Sequence, residues 1–446
     1  MIGTTAPSID SSLDAAERIL RIRGNHRLTG KVRIGGAKNA ALKALAATLL
    51  TTDEVVLNNV PMIADVISMA ELLRAFGADV EIDSERERVV VRAKEIVRTD
   101  APPKLFKATR ASVVVTGPIL ARCGEISFSM PGGDDIGKRP IDMHLRGFMR
   151  MGAEVTQDQE MIVARASRLQ GARIYMDYPS HTGTEALMMA STLATGTTVI
   201  ANASAEPEIV SLGEMLNRMG ARISGLGTSI ITIEGVERLH GCSDVCIPDR
   251  LEAGTFAIAA VITGGEVRLE NVREAHMLPL TEKLKEAGAE VWFDDNRMLV
   301  RAGDRLDSVD IQTLPFPGFP TDLQATFMPL LTQANGVSRV HERVYEDRLR
   351  YTDELIKMGA DIHVARWGNH GEMLATSATV RGPVKLHGAH VRSLDIRSAV
   401  SLVLAGLVAD GETELSDVYH IDRGYARFVE KLTELGADID DTFLGA

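Results

Sequence analysis

The chain carries a sixfold internal repeat, and few folds accommodate one of this length. An apolar-periodic helix that ends in Gly-Ala and runs into a short strand occurs as AFGADVEI, RMGAEVTQ, RMGARISG, EAGAEVWF, KMGADIHV and ELGADIDD. The marker glycines are Gly77, Gly152, Gly220, Gly288, Gly359 and Gly436, spaced 75, 68, 68, 71 and 77 residues apart. Each sits where a helix must stop, and glycine there takes the left-handed backbone of a C-cap before the next strand begins. Every unit also has a helix of small apolar residues upstream: NAALKALAATLL, ASVVVTGPILA, TEALMMASTLA, AGTFAIAAVIT, DLQATFMPLLT and SAVSLVLAGLVA. A helix apolar on nearly every side is buried. Six copies divide as three plus three, which predicts an α/β protein of two domains, each with three such helices at its centre and sheets and amphipathic helices outside. The division falls near residues 246–248, and the N-terminal strand ILRIRG returns to the second domain, giving expected domains 38–247 and 1–37 plus 248–446.

At 446 residues the chain has the length to bury two cores. Its 49 basic and 61 acidic residues, with 4% aromatics, argue against a general nucleic-acid or membrane-surface binder. Any anion site must be local. Cys123, Cys242 and Cys246 make neither a disulfide framework nor a zinc pattern and read as reduced thiols of a cytoplasmic protein. No apolar run approaches the roughly 18 residues of a spanning helix, and residues 1–18 lack the apolar core of a signal peptide.

The recurrent polar residues cluster at helix starts: Lys38-Asn39, Arg110, Thr184-Glu185, Asp249 to Glu252, Thr321-Asp322 and Asp395 to Arg397. Helix N-termini carry unsatisfied N–H groups and partial positive charge, so ends converging on a cleft would hold an anion. Thr184, Thr321 and Asp395 read as N-caps. Lys38, Arg110 and Arg397 oppose the helix dipole, which calls for something negative beside them. The stretch Met130 to His144, MPGGDDIGKRPIDMH, is too irregular for helix or strand. It is a glycine-rich loop with cations and acids side by side, suited to an anionic substrate that exchanges protons or, more plainly, to a solvated connection. Lys43 and Lys138 read as solvated, Met188 and Met189 as core packing, and His144 and Asp249 are open to a purely structural reading.

GGAKNAALKALAATLL, ATRASVVVTGPILAR, PGGDDIGKRPIDMH, EPEIVSLGEML, FPTDLQATF, VYEDR and YHIDRGYARF follow one another in order across nearly the whole chain. Together they resemble the UDP-N-acetylglucosamine 1-carboxyvinyltransferase family of enolpyruvyl transferases. The resemblance implies two inside-out α/β barrel domains of three βαβαββ units each. It also implies transfer of enolpyruvate from phosphoenolpyruvate to the 3-hydroxyl of UDP-N-acetylglucosamine, the first committed step of peptidoglycan synthesis, with no metal or organic cofactor. Carried over by position, Lys38, Arg139 and Arg423 would bind phosphoenolpyruvate. Asn39, Arg110 and Asp322 would hold the amino sugar, with Asp322 as base. Arg139, Pro140, Ile141, Asp142 and His144, with Ser180, His181 and Thr182 of the loop from Tyr178 to Thr184, would contact uridine and diphosphate. Tyr345 and Arg348 of VYEDR and the catalytic candidate Arg397 would lie near the closing cleft, and Asp249 and Glu252 at an acidic helix start on the domain junction.

Two departures matter. The family most often has cysteine where Asp134 stands; aspartate can still protonate the methylene carbon if burial or the neighbouring Asp135 raises its pKa, but thiol chemistry is lost. Insensitivity to fosfomycin, which alkylates that cysteine, is therefore expected, and whether Asp134 or Asp135 is the acid stays open. The family's usual PSVGATE reads PSHTGTE here, placing His181 and Thr182 beside the expected diphosphate. The alternatives are thus a paralogue acting on another acceptor, such as shikimate phosphate or a different nucleotide sugar, and a non-catalytic nucleotide-sugar-binding regulator.

Overall fold

The computed structural model describes residues 18–134, 136–137, 139–367 and 374–443. The residues 1–17 considered for a signal peptide, Asp135 and Lys138 lie outside these.

One unit shows the construction. Strand Arg173–Tyr175 leads into the buried helix His181–Ser191, strand Thr197–Ala201, the amphipathic helix Pro207–Arg218, and the strands Arg222–Ser224 and Ile230–Glu234. The first strand pairs in parallel with the second, and the remaining ladders are antiparallel. Five sheets have four strands in this order and a sixth, built on Glu125–Ser129, has three. A lone parallel bridge from Asp100 to Ser127 stands where its fourth strand would lie. No described sheet closes on itself; the helices are inside and the sheets outside. The marker glycines all have φ between 89° and 104°, the left-handed region, as the C-cap reading requires.

Two hydrophobic cores result. One joins residues between Ala41 and Cys246, the other Leu20 to Ile34 with Leu251 to Ala437. The central helices meet at their apolar, small-residue surfaces, and every residue of Arg250–Ile262 and of Ile396–Gly406 is buried. Met188 and Met189 are core residues. The strand Arg18–Arg23 lies between Glu412–Ser416 and Asp438–Phe443. Where the chain passes between cores, its two segments run side by side: Ala37 N donates to Ile247 O at 2.7 Å and Asp249 N to Gly35 O at 2.9 Å. No helix among the described residues is long and apolar enough to cross a membrane.

Candidate active site

The starts of the inner helices from both cores open on one cavity of about 530 Å³. Nine Lys or Arg and five Asp or Glu line it, in a chain whose formal net charge is −12. The cations are thus gathered in one place in an otherwise acidic chain.

Lys38 opens the helix Lys38–Ala47 and is almost fully buried; its Nζ lies 2.7 Å from Asp65, a residue the sequence reading missed. Burial lowers the Lys38 pKa, and Asp65 partly restores it. Asp65 itself is held below the usual carboxylate range: burial would raise it, but Lys38 and Arg423 prevail. Arg423 reaches Asp65 at 3.1 Å and also pairs with Asp134. Lys38, Asp65, Arg423 and Asp134 thus form one alternating chain of charges linking the two cores. The other cationic helix start is paired too. Asp322 receives Arg348 at 2.8 Å on one carboxylate oxygen and Arg397 at 3.0 Å on the other. Burial favours its neutral form, yet the two guanidinium groups hold its pKa far below the ordinary value. Arg397 also donates to the Tyr425 hydroxyl at 2.8 Å. The expected negative partners of Lys38 and Arg397 are therefore carboxylates of the chain itself.

Arg110 differs. It donates to the carbonyls of Pro131 at 3.5 Å, Arg139, and Pro140 at 3.4 Å, stapling the two ends of the Met130 to His144 loop. Burial, then Arg139, lowers its pKa to about 10. In the loop Gly133 has φ +113°, and a Cβ there would come within 2.8 Å of the Arg110 Cβ. The Tyr345 ring is flanked by Arg139 at 5.5 Å and Arg348 at 5.3 Å, joining the loop to the second core.

Asn39, Pro140, Ser180, His181 and Thr182 also line the cavity, as do Lys38, Arg110, Asp134, Arg139, Asp322, Tyr345, Arg348, Arg397 and Arg423. Five sequence-selected residues do not. Ile141 is in the first core, and Asp142 pairs with Arg146 at 2.6 Å on the outer helix. His144 is buried with neither ring nitrogen hydrogen-bonded, its pKa lowered to about 4 by burial and then by Arg110. Glu252 accepts from Gly35 N at 2.8 Å and Lys431 at 2.5 Å. Asp249 accepts from Leu251 N and Glu252 N through one oxygen and from Lys38 N, at 3.1 Å, through the other. It caps two helices, one from each core.

Three local readings are corrected. Thr184 is not an N-cap: Ser180 accepts from Gly183 N at 3.1 Å, and the Thr184 hydroxyl donates to Ser180 O from inside the helix. Thr321 is not one either, since its hydroxyl bridges Arg348 and Glu342, both at 2.8 Å. Lys43 is buried, not solvated, 3.7 Å from the buried Glu185. Asp395 does cap, with a full capping box through Ser398. Arg250, paired with Glu206 at 2.5 Å and Glu208 at 3.0 Å, was also missed, because these partners come from different repeats.

Two open domains of helix-centred βαβαββ units around a cationic cleft with paired carboxylates define a class of transferase fold. The profile of the EPSP synthase (3-phosphoshikimate 1-carboxyvinyltransferase) family matches residues 22–432, and the chain belongs to that family. It is 50% identical over 421 residues to UDP-N-acetylglucosamine 1-carboxyvinyltransferase 2 of Carboxydothermus hydrogenoformans, covering 94% of this chain and 98% of that one. UDP-N-acetylglucosamine 1-carboxyvinyltransferase of Magnetococcus marinus is 50% identical over 419 residues, 94% and 98% of the two chains. The crystal structure of the enolpyruvyl transferase NikO from Streptomyces tendae superposes with a TM-score of 0.86 at 26% identity, over 96% of this chain and 99% of that one. An EPSP synthase from Acinetobacter baumannii shares the fold at 18% identity, with a TM-score of 0.72 over 95% and 100%.

Proposed function

We propose that the protein transfers the enolpyruvyl group of phosphoenolpyruvate to the 3-hydroxyl of UDP-N-acetylglucosamine and releases phosphate, the first committed step of peptidoglycan synthesis. The observation that carries this reading is the excess of nine cations over five acids around one cavity of an acidic chain. A substrate with both a carboxylate and a phosphate needs such a site. The relatives at 50% identity support this acceptor over shikimate phosphate. We read the cores as domains 38–247 and 1–37 plus 248–446, and the protein as a cytoplasmic enzyme of small-molecule substrates, on its three unpaired cysteines.

In this reading Lys38 and Arg423 exchange their internal partners, Asp65 and Asp134, for the carboxylate and phosphate of phosphoenolpyruvate, which Arg139 also binds. That exchange releases the Asp134 carboxylate from Arg423, and it takes up a proton from solvent to act as the acid. Asn39 and Arg110 hold the amino sugar, and Arg348 or Arg397 turning to a substrate anion restores basicity to Asp322. The sugar oxygen then bonds to C2 of phosphoenolpyruvate as Asp322 takes its proton and Asp134 gives one to C3. The tetrahedral ketal collapses as the Asp134 carboxylate takes a proton back from C3 and the C2–O bond to phosphate breaks. Oriented cations stabilise the developing charge throughout.

The direct test is phosphate release from phosphoenolpyruvate with UDP-N-acetylglucosamine and shikimate 3-phosphate in parallel. Release with the nucleotide sugar alone is expected; release with neither acceptor would favour the regulator reading. A carboxylate is a far weaker nucleophile toward an epoxide than a thiolate. Fosfomycin should therefore leave the intact mass unchanged, whereas Asp134→Cys should turn over and acquire a time-dependent adduct. An adduct on the natural sequence would sink the assignment of Asp134 to the cysteine position.

A further inference from the structure

At one wall of the cavity stands a cluster that the steps above leave unused. Glu185, on the helix His181–Ser191, is fully buried, and neither carboxylate oxygen has a hydrogen-bond partner. Two neighbours approach without closing: Lys43 Nζ is 3.7 Å from one oxygen, and His181 Nε2 is 3.5 Å from the other. That nitrogen is itself buried and unpartnered. The imidazole as a whole is 28% exposed and lines the cavity, leaving Nδ1 as the nitrogen on the open side. A buried acceptor without a donor costs on the order of 1–3 kcal/mol. Such an arrangement calls for a bound proton or a function.

The surroundings fix where a proton rests. Burial raises Glu185 to about 8, against Lys43, with Glu208 and Glu206 adding to the rise. Burial and then Lys43 lower His181 to about 3, helped by Arg250 and opposed by Glu208 and Asp322. At neutral pH the pair holds one proton, on Glu185. An anion arriving at Nδ1 reverses the preference, because it stabilises an imidazolium, and Lys43 stabilises the carboxylate left behind.

We propose that His181, Glu185 and Lys43 form a proton-carrying contact for the diphosphate of the acceptor. As a diphosphate oxygen accepts from His181 Nδ1–H, Glu185 passes its proton to Nε2: one O–H bond breaks, one N–H bond forms, and none is exchanged with solvent. The imidazolium is then held between the diphosphate and the Glu185 carboxylate. His181, one of the two departures in PSHTGTE, becomes a specificity-determining residue, and Glu185 and Lys43 are positioning residues. This rests on the nucleotide-sugar reading above.

The sign of the pH dependence follows. The proton that the complex needs is present below about pH 8 and is lost as pH rises through that value. The dissociation constant of UDP-N-acetylglucosamine, measured calorimetrically without phosphoenolpyruvate, should be level below about pH 8. Above it, the constant should rise toward the one-proton limit of tenfold per pH unit. His181→Val should weaken binding at pH 7 by about tenfold or more, the loss of a charge-assisted hydrogen bond. Both His181→Val and Glu185→Gln should lose the alkaline rise. Other titrating groups, Lys38 among them, remain in every variant and cancel in the comparison. Identical profiles in the natural protein and in folded His181→Val would overturn this proposal alone. No binding at any pH would overturn the acceptor assignment and the proposal with it.

Discussion

In the first half of the molecule the inner helices begin with Lys38, Arg110 and His181; in the second, Asp249 and Asp395 immediately precede Arg250–Ile262 and Ile396–Gly406, and Asp322 is the second residue of Thr321–Gln333. The repeat gives the six starts the same place in their units but not the same task. Asp249 and Asp395 direct carboxylate oxygens at backbone N–H groups, the ordinary work of an acid at a helix start. Asp322 caps nothing. Both its oxygens face arginines, Arg348 and Arg397, on the wall of the cavity. In the first half Lys38 opposes its helix dipole and is held there from outside by Asp65, while its backbone N–H is capped by Asp249 of the other half. At Lys38 and Asp322 the charged side chain that does not satisfy its own backbone faces the cavity.

The largest effect that would break this comparison is chemical. Asp322→Asn keeps the size and an acceptor for one arginine but cannot take the proton of the sugar hydroxyl. Base catalysis contributes on the order of 10² to 10⁴, so kcat should fall by that much while calorimetric affinity for UDP-N-acetylglucosamine changes little. A near-normal kcat would mean that freedom from capping does not mark the base.

How much of this could be read from the residues depended on how local the cause was. Gly77 and its five counterparts were legible because a left-handed C-cap is a demand on one residue's own backbone, and all six meet it. The inner helices were legible because a helix without a polar face has only one place to go. The cations of the cleft stood out because they contradict the helix dipole. Their partners did not. Asp65 lies 27 residues from Lys38 on an outer helix, and Arg423 reaches Asp134 across 289 positions of sequence. Lys43 looked solvated because a lysine in an apolar helix has the same sequence whether it reaches water or a buried Glu185. Thr184 and Thr321 have the composition of caps, yet Ser180 lies one turn earlier and Glu342 offers the Thr321 hydroxyl a better acceptor. The double duty of Asp249 requires the two chain crossings to lie side by side, which no single segment records.

The smaller effect, on stability, sharpens the comparison within the second half. Asp395 caps one helix, with two N–H donors on one oxygen and Ser398 completing the box. Asparagine is as good an N-cap as aspartate, so Asp395→Asn should change stability by a few tenths of a kcal/mol at most. Asp249 uses one oxygen for its own helix and the other for Lys38 N. An amide has only one acceptor atom; whichever helix it serves, its NH₂ group faces an N–H of the other. Asp249→Asn should therefore cost about 1–3 kcal/mol, the penalty of an unpaired buried donor. Asp249→Ala should cost more, because both helices lose their cap. Urea unfolding of the two asparagine variants side by side is the measurement, with amide exchange at Lys38 and Leu251 showing which helix start frays. If Asp249→Asn proves as harmless as Asp395→Asn, the acid at the crossing is an ordinary cap. The tie between the two halves must then be sought in the Arg423 contacts to Asp65 and Asp134.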